Sequence, residues 1–485
     1  MHRSLPLIPV LLSLGLLGAC SPTEAIPPEA SVIPVTATPT PFQAPTPSPT
    51  PTNARVWLSP ALPSELRAAA ESVETLVGRT VELVQQPEGA DLRLGPDPQQ
   101  PLSRWVYAAG VAFPTIRDSI ALSELSADWA GETEGQLLMT EGTMAALESR
   151  LGPGVGAQPM APADQLQTAW ADPGVVSIIP FDSLSPRWKV LEVDGVSPLD
   201  PNFDSAGYPL IVDFGASGDP TLFDPAAQAL DWPLTNRDPE DVSMVAITGV
   251  TAITRATAWA VAIKGIDWAI SGVVDWLRSA DITHVSHEVS FTPDCPPVNP
   301  SRDVMRFCGQ TDQIELLDRI GVDVIELTGN HVMDYGPGPM LYTLDAYDAQ
   351  GWLTFGGGRN LAEARMPAII EHHGNRFAFL GCNPAGPPRD WATEDGPGST
   401  PCDMPALLEQ IAQLRQEGAL PIVTFQWNEA YRNWPLPNQA DAFREAADAG
   451  AVIVSGSQAH QPMGFEYRGD SVIHYGLGNL FFDQM

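Results

Sequence analysis

A chain of 485 residues, 44% hydrophobic and 17% charged, is long enough for two or three domains with sizeable cores. Its formal net charge of −34 argues against a broad basic face for nucleic acid and against a polybasic patch for anionic membranes. The acidity is spread along the chain, as on a solvated, soluble surface.

The first twenty residues read as a targeting segment rather than part of a fold. His2 and Arg3 form a short polar start, and Leu5 to Leu17 an apolar core too short to span a bilayer as a helix. It ends in Leu17-Gly18-Ala19-Cys20, which resembles a bacterial lipobox. The expectation is a lipoprotein signal over 1–20 with lipid on Cys20, an exported body on the outer side of the bacterial cell membrane, and membrane contact through that lipid. An ordinary cleaved signal is the alternative. Residues 21–54 are dense in Pro, Thr, Ala and Ser and read as an extended linker or stalk. Residues 256–277 are the most apolar later stretch, but Lys264, Asp267 and Asp275 make them a packed helix.

With Cys20 assigned to lipid, Cys295, Cys308, Cys382 and Cys402 remain, an even number in an exported chain. Three pairings are open. Cys295–Cys308 and Cys382–Cys402 are favoured because each pair brackets a Pro- or Gly-rich loop. A metal site lacks the Cys-x-x-Cys spacing.

Residues 55–235 read as a first α/β body. A helix is expected over 64–77 with Ser64 as cap and Gly78 as stop, then strands over 80–84, 175–181, 189–193 and 208–212. Residues 121–131 and 174–212 are similar to fragments of phosphate-type periplasmic substrate-binding domains, although no Ser/Thr-Gly helix start of the anion-binding kind is evident. An accessory domain without a ligand is the alternative. Residues 222–241, rich in Pro, Asp and Asn, read as a linker.

A second α/β body is expected over 242–485. Its strands are 244–248, 282–286, 322–327, 376–380, 422–425, 451–454 and 472–475, with helices over 312–320, 338–350, 404–417 and 439–449 between them. Almost every strand ends in polar residues. His287 and Glu288 follow the second strand, and Asn330, His331 and Asp334 the third. Gln426 and Glu429 follow the fifth, Gln458 and His460 the sixth, and Asn479 the seventh. Sheet strands deliver such side chains to one edge, where oxygen- and nitrogen-rich sites are assembled.

These motifs carry a resemblance. Ser-His-Glu at 286–288, Gly-Asn-His-Val-Met-Asp-Tyr-Gly at 329–336 and Gly-Gly-Gly-Arg-Asn at 356–360 come first. Gln-Trp-Asn-Glu-Ala-Tyr at 426–431, Gly-Ser-Gln-Ala-His at 456–460 and Tyr-Gly-Leu-Gly-Asn-Leu-Phe-Phe at 475–482 follow in order. Together they resemble the bacterial capsule-synthesis (CapA, poly-γ-glutamate) proteins of the calcineurin-like metallophosphatase superfamily. The resemblance implies a four-layer α/β/β/α sandwich preceded by the smaller substrate-binding-like domain. It implies Glu288, Asn330 and His460 as metal ligands, and His331 with Asp334 as the catalytic pair. His287, Gln426, Gln458 and Asn479 would be substrate contacts. The implied partner is a cell-envelope polymer or its biosynthesis machinery.

Departures from the family pattern deplete the metal site. Val250 follows Gly249 where the family carries Asp, Gln426 and Gln458 stand where it carries His, and Ala430 where it carries Glu. Neutral amides hold divalent ions weakly, so at most one tightly bound ion is expected. Two functions follow: a metal-dependent hydrolase of the envelope, or a polymer- or solute-binding lipoprotein that keeps the fold without a full metal site. The chain ends on Phe481-Phe482-Asp483-Gln484-Met485 with no closing helix, as a truncated sequence would.

Overall fold

A computed structural model describes residues 53–301 and 304–483. The expected signal segment, Cys20 and nearly all of the stalk over 21–54 lie outside the described residues. Among the described residues no helix is long and apolar enough to cross a membrane.

The first body is built on the strand Gln100–Ala112. Its second half is a run of small apolar residues buried on both faces, so it lacks the alternation by which a half-exposed strand is recognised. It pairs antiparallel with Ile211–Gly218, Val176–Pro180 and Trp188–Val193 inside an eleven-stranded sheet. The helix expected to reach residue 77 stops at Glu71. The chain instead turns at Val77 and Gly78, both at positive φ, and pairs Thr75–Leu76 with Arg79–Thr80. A two-residue turn of that hand closes a hairpin and outweighs the helical spacing of the apolar residues.

Residues 222–241 are packed, not a free linker. Phe223–Leu230 is a helix, and the Trp232 indole donates to Leu66 O at 2.9 Å. The buried Arg237 guanidinium donates to Pro198 O and Asp200 O and covers the Phe203 ring. Asp238 caps the short turn Pro239–Asp241 here. The stretch 256–277 likewise forms three short helices, Arg255–Lys264, Ile266–Ile270 and Val274–Arg278, the first broken from the second at Gly265 with φ 86°.

The second body holds two larger sheets. Five parallel strands run in the order Leu353–Phe355, Val324–Glu326, Ile282–His287, Val245–Thr251, Asn479–Phe481. Six mixed strands run Ala368–His372, Asn375–Cys382, Leu420–Gln426, Ile453–Ser457, Ser471–His474, Phe465–Arg468. Helices Ile314–Arg319 and Pro337–Gln350, with the three short ones, pack on the first sheet through Leu316, Met340 and Leu344. Helices Met404–Gln416 and Pro437–Asp448 pack on the second through Ile411 and Phe443. A separate cluster of Ile282, Val324, Phe355, Phe379 and Ile422 draws on strands of both sheets. The two bodies share no sheet among the described residues. They touch through aromatic edges, Phe113 against Phe465 at 5.2 Å and Trp170 against Tyr467 at 5.9 Å. Both favoured disulfides are present, Cys295–Cys308 and Cys382–Cys402, with Cα separations of 5.8 and 5.0 Å.

Candidate functional site

Strand ends of both sheets supply the site. Glu288 directly follows Ile282–His287, and its side chain is buried with Oε2 unpaired among the described residues. Gly329 lies against it: a Cβ there would stand 2.6 Å from Glu288 Cα, so only glycine lets the two strand ends come this close. Asn330 and His331 follow at once. Gln426 ends its strand, Ser457 ends the next, and Gln458 sits beyond it at φ 72°. A non-glycine residue in that region is held there by its surroundings.

Amides occupy one side of the cluster. Gln426 Nε2 donates to Asn330 Oδ1 at 3.2 Å and also to Gln458 Oε1. Ser457 Oγ lies 2.7 Å from Gln426 Oε1 and 2.9 Å from Glu326 Oε1. Glu326 is a buried carboxylate in the middle of an apolar run, also bonded by Thr328 and 3.4 Å from His284. Sequence reasoning overlooked it; a lone acid inside a buried strand was the available signal.

Imidazoles occupy the other side. His331 Nδ1 donates to Asp334 Oδ2 at 2.6 Å, and Nε2 lies 4.0 Å from Glu288 Oε1. Asp334 is fixed in turn by the Phe307 N–H at 2.8 Å. Burial alone would lower the His331 pKa, but the Asp334 hydrogen bond and the charges of Glu288 and Asp390 outweigh it and hold the pKa above the ordinary value. Burial pushes the Glu288 carboxyl up, opposed by the charges of His331 and His460. His460 Nδ1 is 2.9 Å from Asn479 Oδ1, and Nε2 is 3.8 Å from Glu429.

The structure therefore brings together Glu288, Asn330, His331, Asp334, His460, Gln426, Gln458 and Asn479. It does not bring His287 to them. That ring is fully buried, stacks on Phe291 at 4.8 Å and meets the Tyr347 hydroxyl at 2.8 Å. Along a strand successive side chains face opposite ways, which sends His287 into the helix-covered core when Glu288 reaches the site. Asp390 was also missed. It is fully buried, its carboxylate has no hydrogen-bond partner among the described residues, and burial raises its pKa to about 6.

The donor set fits a dinuclear metal centre poorly. Among the described residues no three His, Cys, Asp or Glu side chains come close enough together to hold an ion. Asn330 Oδ1 already accepts from Gln426, and Val250 is an apolar side chain with no exposure. Glu288 Oε2 stands buried and without a hydrogen-bond partner among the described residues of the cluster, as do both carboxylate oxygens of Asp390, whose charge acts on His331.

Residues 244–484 match the family model described as bacterial capsule synthesis protein PGA_cap. The chain is 26% identical over 258 residues to the capsule biosynthesis protein CapA of Bacillus anthracis, covering 52% of this chain and 62% of that one. It is 29% identical over 174 residues to the PGA biosynthesis protein CapA of Bacillus subtilis, covering 36% and 46%. The chain thus spans between half and two thirds of the first relative and under half of the second. Among solved structures, a phosphate ABC transporter substrate-binding protein of Clostridium perfringens overlaps 37% of this chain and 91% of its own, at 13% identity and a TM-score of 0.28, too loose to establish a shared fold. Ordered motifs at the strand ends and the match over 244–484 agree: through those residues the chain belongs to the bacterial capsule synthesis protein family.

Proposed function

We propose that the second body is a metallophosphatase-like α/β/β/α sandwich whose strand-end cluster serves the synthesis of a poly-glutamate-type capsule or extracellular polymer, by binding it. The observation that carries this reading is the Asn330–Gln426–Gln458 amide cluster, assembled from the strand ends of both sheets within the family segment. Gln426 spends its amide hydrogens on Asn330 and Gln458, which leaves Asn330 Nδ2 and Gln458 Nε2 to a ligand. Amide N–H groups, and the His331 imidazole when it is protonated, are the donors a glutamyl carboxylate needs. Export as a lipoprotein anchored at Cys20, on a stalk over 21–54 with a solute-binding-like body at 55–235, would set the cluster beside the polymer or its machinery.

A second reading, metal-dependent hydrolysis, is favoured by the short His331–Asp334 contact and the unpaired Glu288 Oε2. His331 would then hold a proton for the leaving group, oriented by Asp334. Glu288, Asn330 and His460 would hold at most one divalent ion, which when bound would polarise the scissile group.

Calorimetric titration with poly-γ-glutamate oligomers tests the first reading. Wild type should bind, and His331→Ala should lose roughly ten- to a hundredfold in affinity, as removal of a charged hydrogen bond does. Absence of binding rejects it. Divalent-ion-dependent hydrolysis of a phosphodiester, abolished in His331→Ala, supports the second reading instead.

A further inference from the structure

Two arginines meet at Asp334, the carboxylate that orients His331. Arg306 Nε donates to Asp334 O at 2.7 Å, and its guanidinium covers the Tyr335 ring at 4.2 Å. Arg389 Nη2 lies 3.8 Å from Asp334 Oδ1 and Arg389 Nε 3.9 Å from Asp390 Oδ1, ion-pair contacts too long for hydrogen bonds. Both arginines are exposed. The Arg389 guanidinium and the Nη groups of Arg306 donate no hydrogen bond among the described residues. Two cations with unspent donors stand out in a chain with 25 Lys and Arg against 59 Asp and Glu.

Each arginine belongs to a stapled segment. Arg306 stands two residues before Cys308, which is bonded to Cys295, and Arg389 lies inside the stretch closed by Cys382–Cys402. Phe307, next to Arg306, donates its N–H to Asp334 Oδ2 and rests its ring against His331 at 4.5 Å. Two segments distant in sequence are fixed to the same acid before any ligand arrives, which lowers the ordering cost of binding. Nearby acids would repel an anion, but they are covered. The Asp334 and Asp390 side chains are 2% and 0% exposed, that of Arg389 66%, so an incoming anion meets the guanidinium first. Glu288 is buried too, and Glu429 stands by His460.

We infer that Arg306 and Arg389 form an anion subsite beside the strand-end cluster, which takes a second carboxylate of the polymer while the amides and His331 hold the first. The inference rests on the polymer-binding reading above. A guanidinium presents paired N–H groups in one plane, the match for a carboxylate. The arginines make the site a reader of consecutive glutamyl residues, because one carboxylate cannot occupy both the amide cluster and the guanidinium pair.

Calorimetric titration of wild type, Arg306→Gln and Arg389→Gln with γ-glutamyl oligomers at several salt concentrations tests the subsite. Each variant should bind roughly three- to tenfold more weakly than wild type, between the worth of an exposed ion pair and that of a charged hydrogen bond. Affinity should also fall less steeply with added salt in both variants, because an exposed cation that salt would screen is gone. Arg389→Gln should keep the melting temperature of the ligand-free protein, since its guanidinium has no hydrogen bond to lose, and it serves if Arg306→Gln fails to fold. Wild-type affinity in the folded variants would overturn the arginine subsite and leave the polymer-binding reading intact. Weaker binding with an unchanged salt dependence would mean that the arginines only brace Asp334, and would overturn the subsite as well. Absence of binding by wild type would reject both.

Discussion

At the scale of single residues, charge placement around one histidine decides what the site can do. His331 is mostly buried, which works against a positive charge, yet Asp334 accepts its Nδ1–H and Glu288 faces its Nε2. The net direction is upward. A histidine whose folded pKa exceeds its unfolded value of about 6.5 adds stability that is fully present below that value and is lost as pH rises through the folded one. His331 ring protons followed by NMR should therefore titrate above about 6.5, and in Asp334→Asn the midpoint should fall. The melting-temperature gap between wild type and Asp334→Asn should be wider near pH 5.5 than near pH 8.5 (roughly a unit or more either side of the ordinary value). A midpoint below the ordinary value in wild type would contradict this electrostatic account. His331 and Asp334 were legible in the sequence because they lie three apart at a strand end. Glu326 and Asp390 were not, because neither stands in a motif and only folding shows that each is buried.

At the scale of elements, close approach of backbones matters as much as apolar pattern. A Cβ added at Gly249 would collide with Gly478 O, on the chain leading into the neighbouring strand Asn479–Phe481. Gly249→Ala should cost ~1–3 kcal/mol, the usual penalty for overpacking that the backbone must absorb. It should also disturb the His460–Asn479 contact, since Asn479 begins that strand. Urea unfolding reads the first effect, and an unchanged midpoint would mean that the two strands can part without loss. The strands of the second body were legible because they are short, apolar and bounded by polar clusters. The helix over 64–77 was misread because its apolar spacing suits a helix up to Glu71, whereas the Val77-Gly78 turn competes for the remainder. Periodicity reports the face a segment buries; it carries no information about a hairpin partner arriving from beyond the turn.

At the scale of the whole molecule, the question is where the protein stands and what it faces. If Cys20 carries the lipid, Cys20→Ser should move the protein from the membrane fraction to the soluble fraction. A variant that stays membrane-bound would remove the lipid anchor from the proposal. The sequence by itself determined the α/β class, the family of residues 244–484 and most members of the strand-end cluster, and it favoured the two disulfide pairings that the structure holds. Those properties are local: a strand end, a spacing of three, or a pair of cysteines bracketing one loop is written within a few residues. Tertiary structure alone decided that His287 turns into the core while Glu288 reaches the site, and that Gln426 bonds Asn330. It also decided that 222–241 packs instead of linking. The physical reason is the same in each case. Facing, burial and convergence depend on which segments, distant in sequence, come to lie against one another, and no local pattern encodes that meeting.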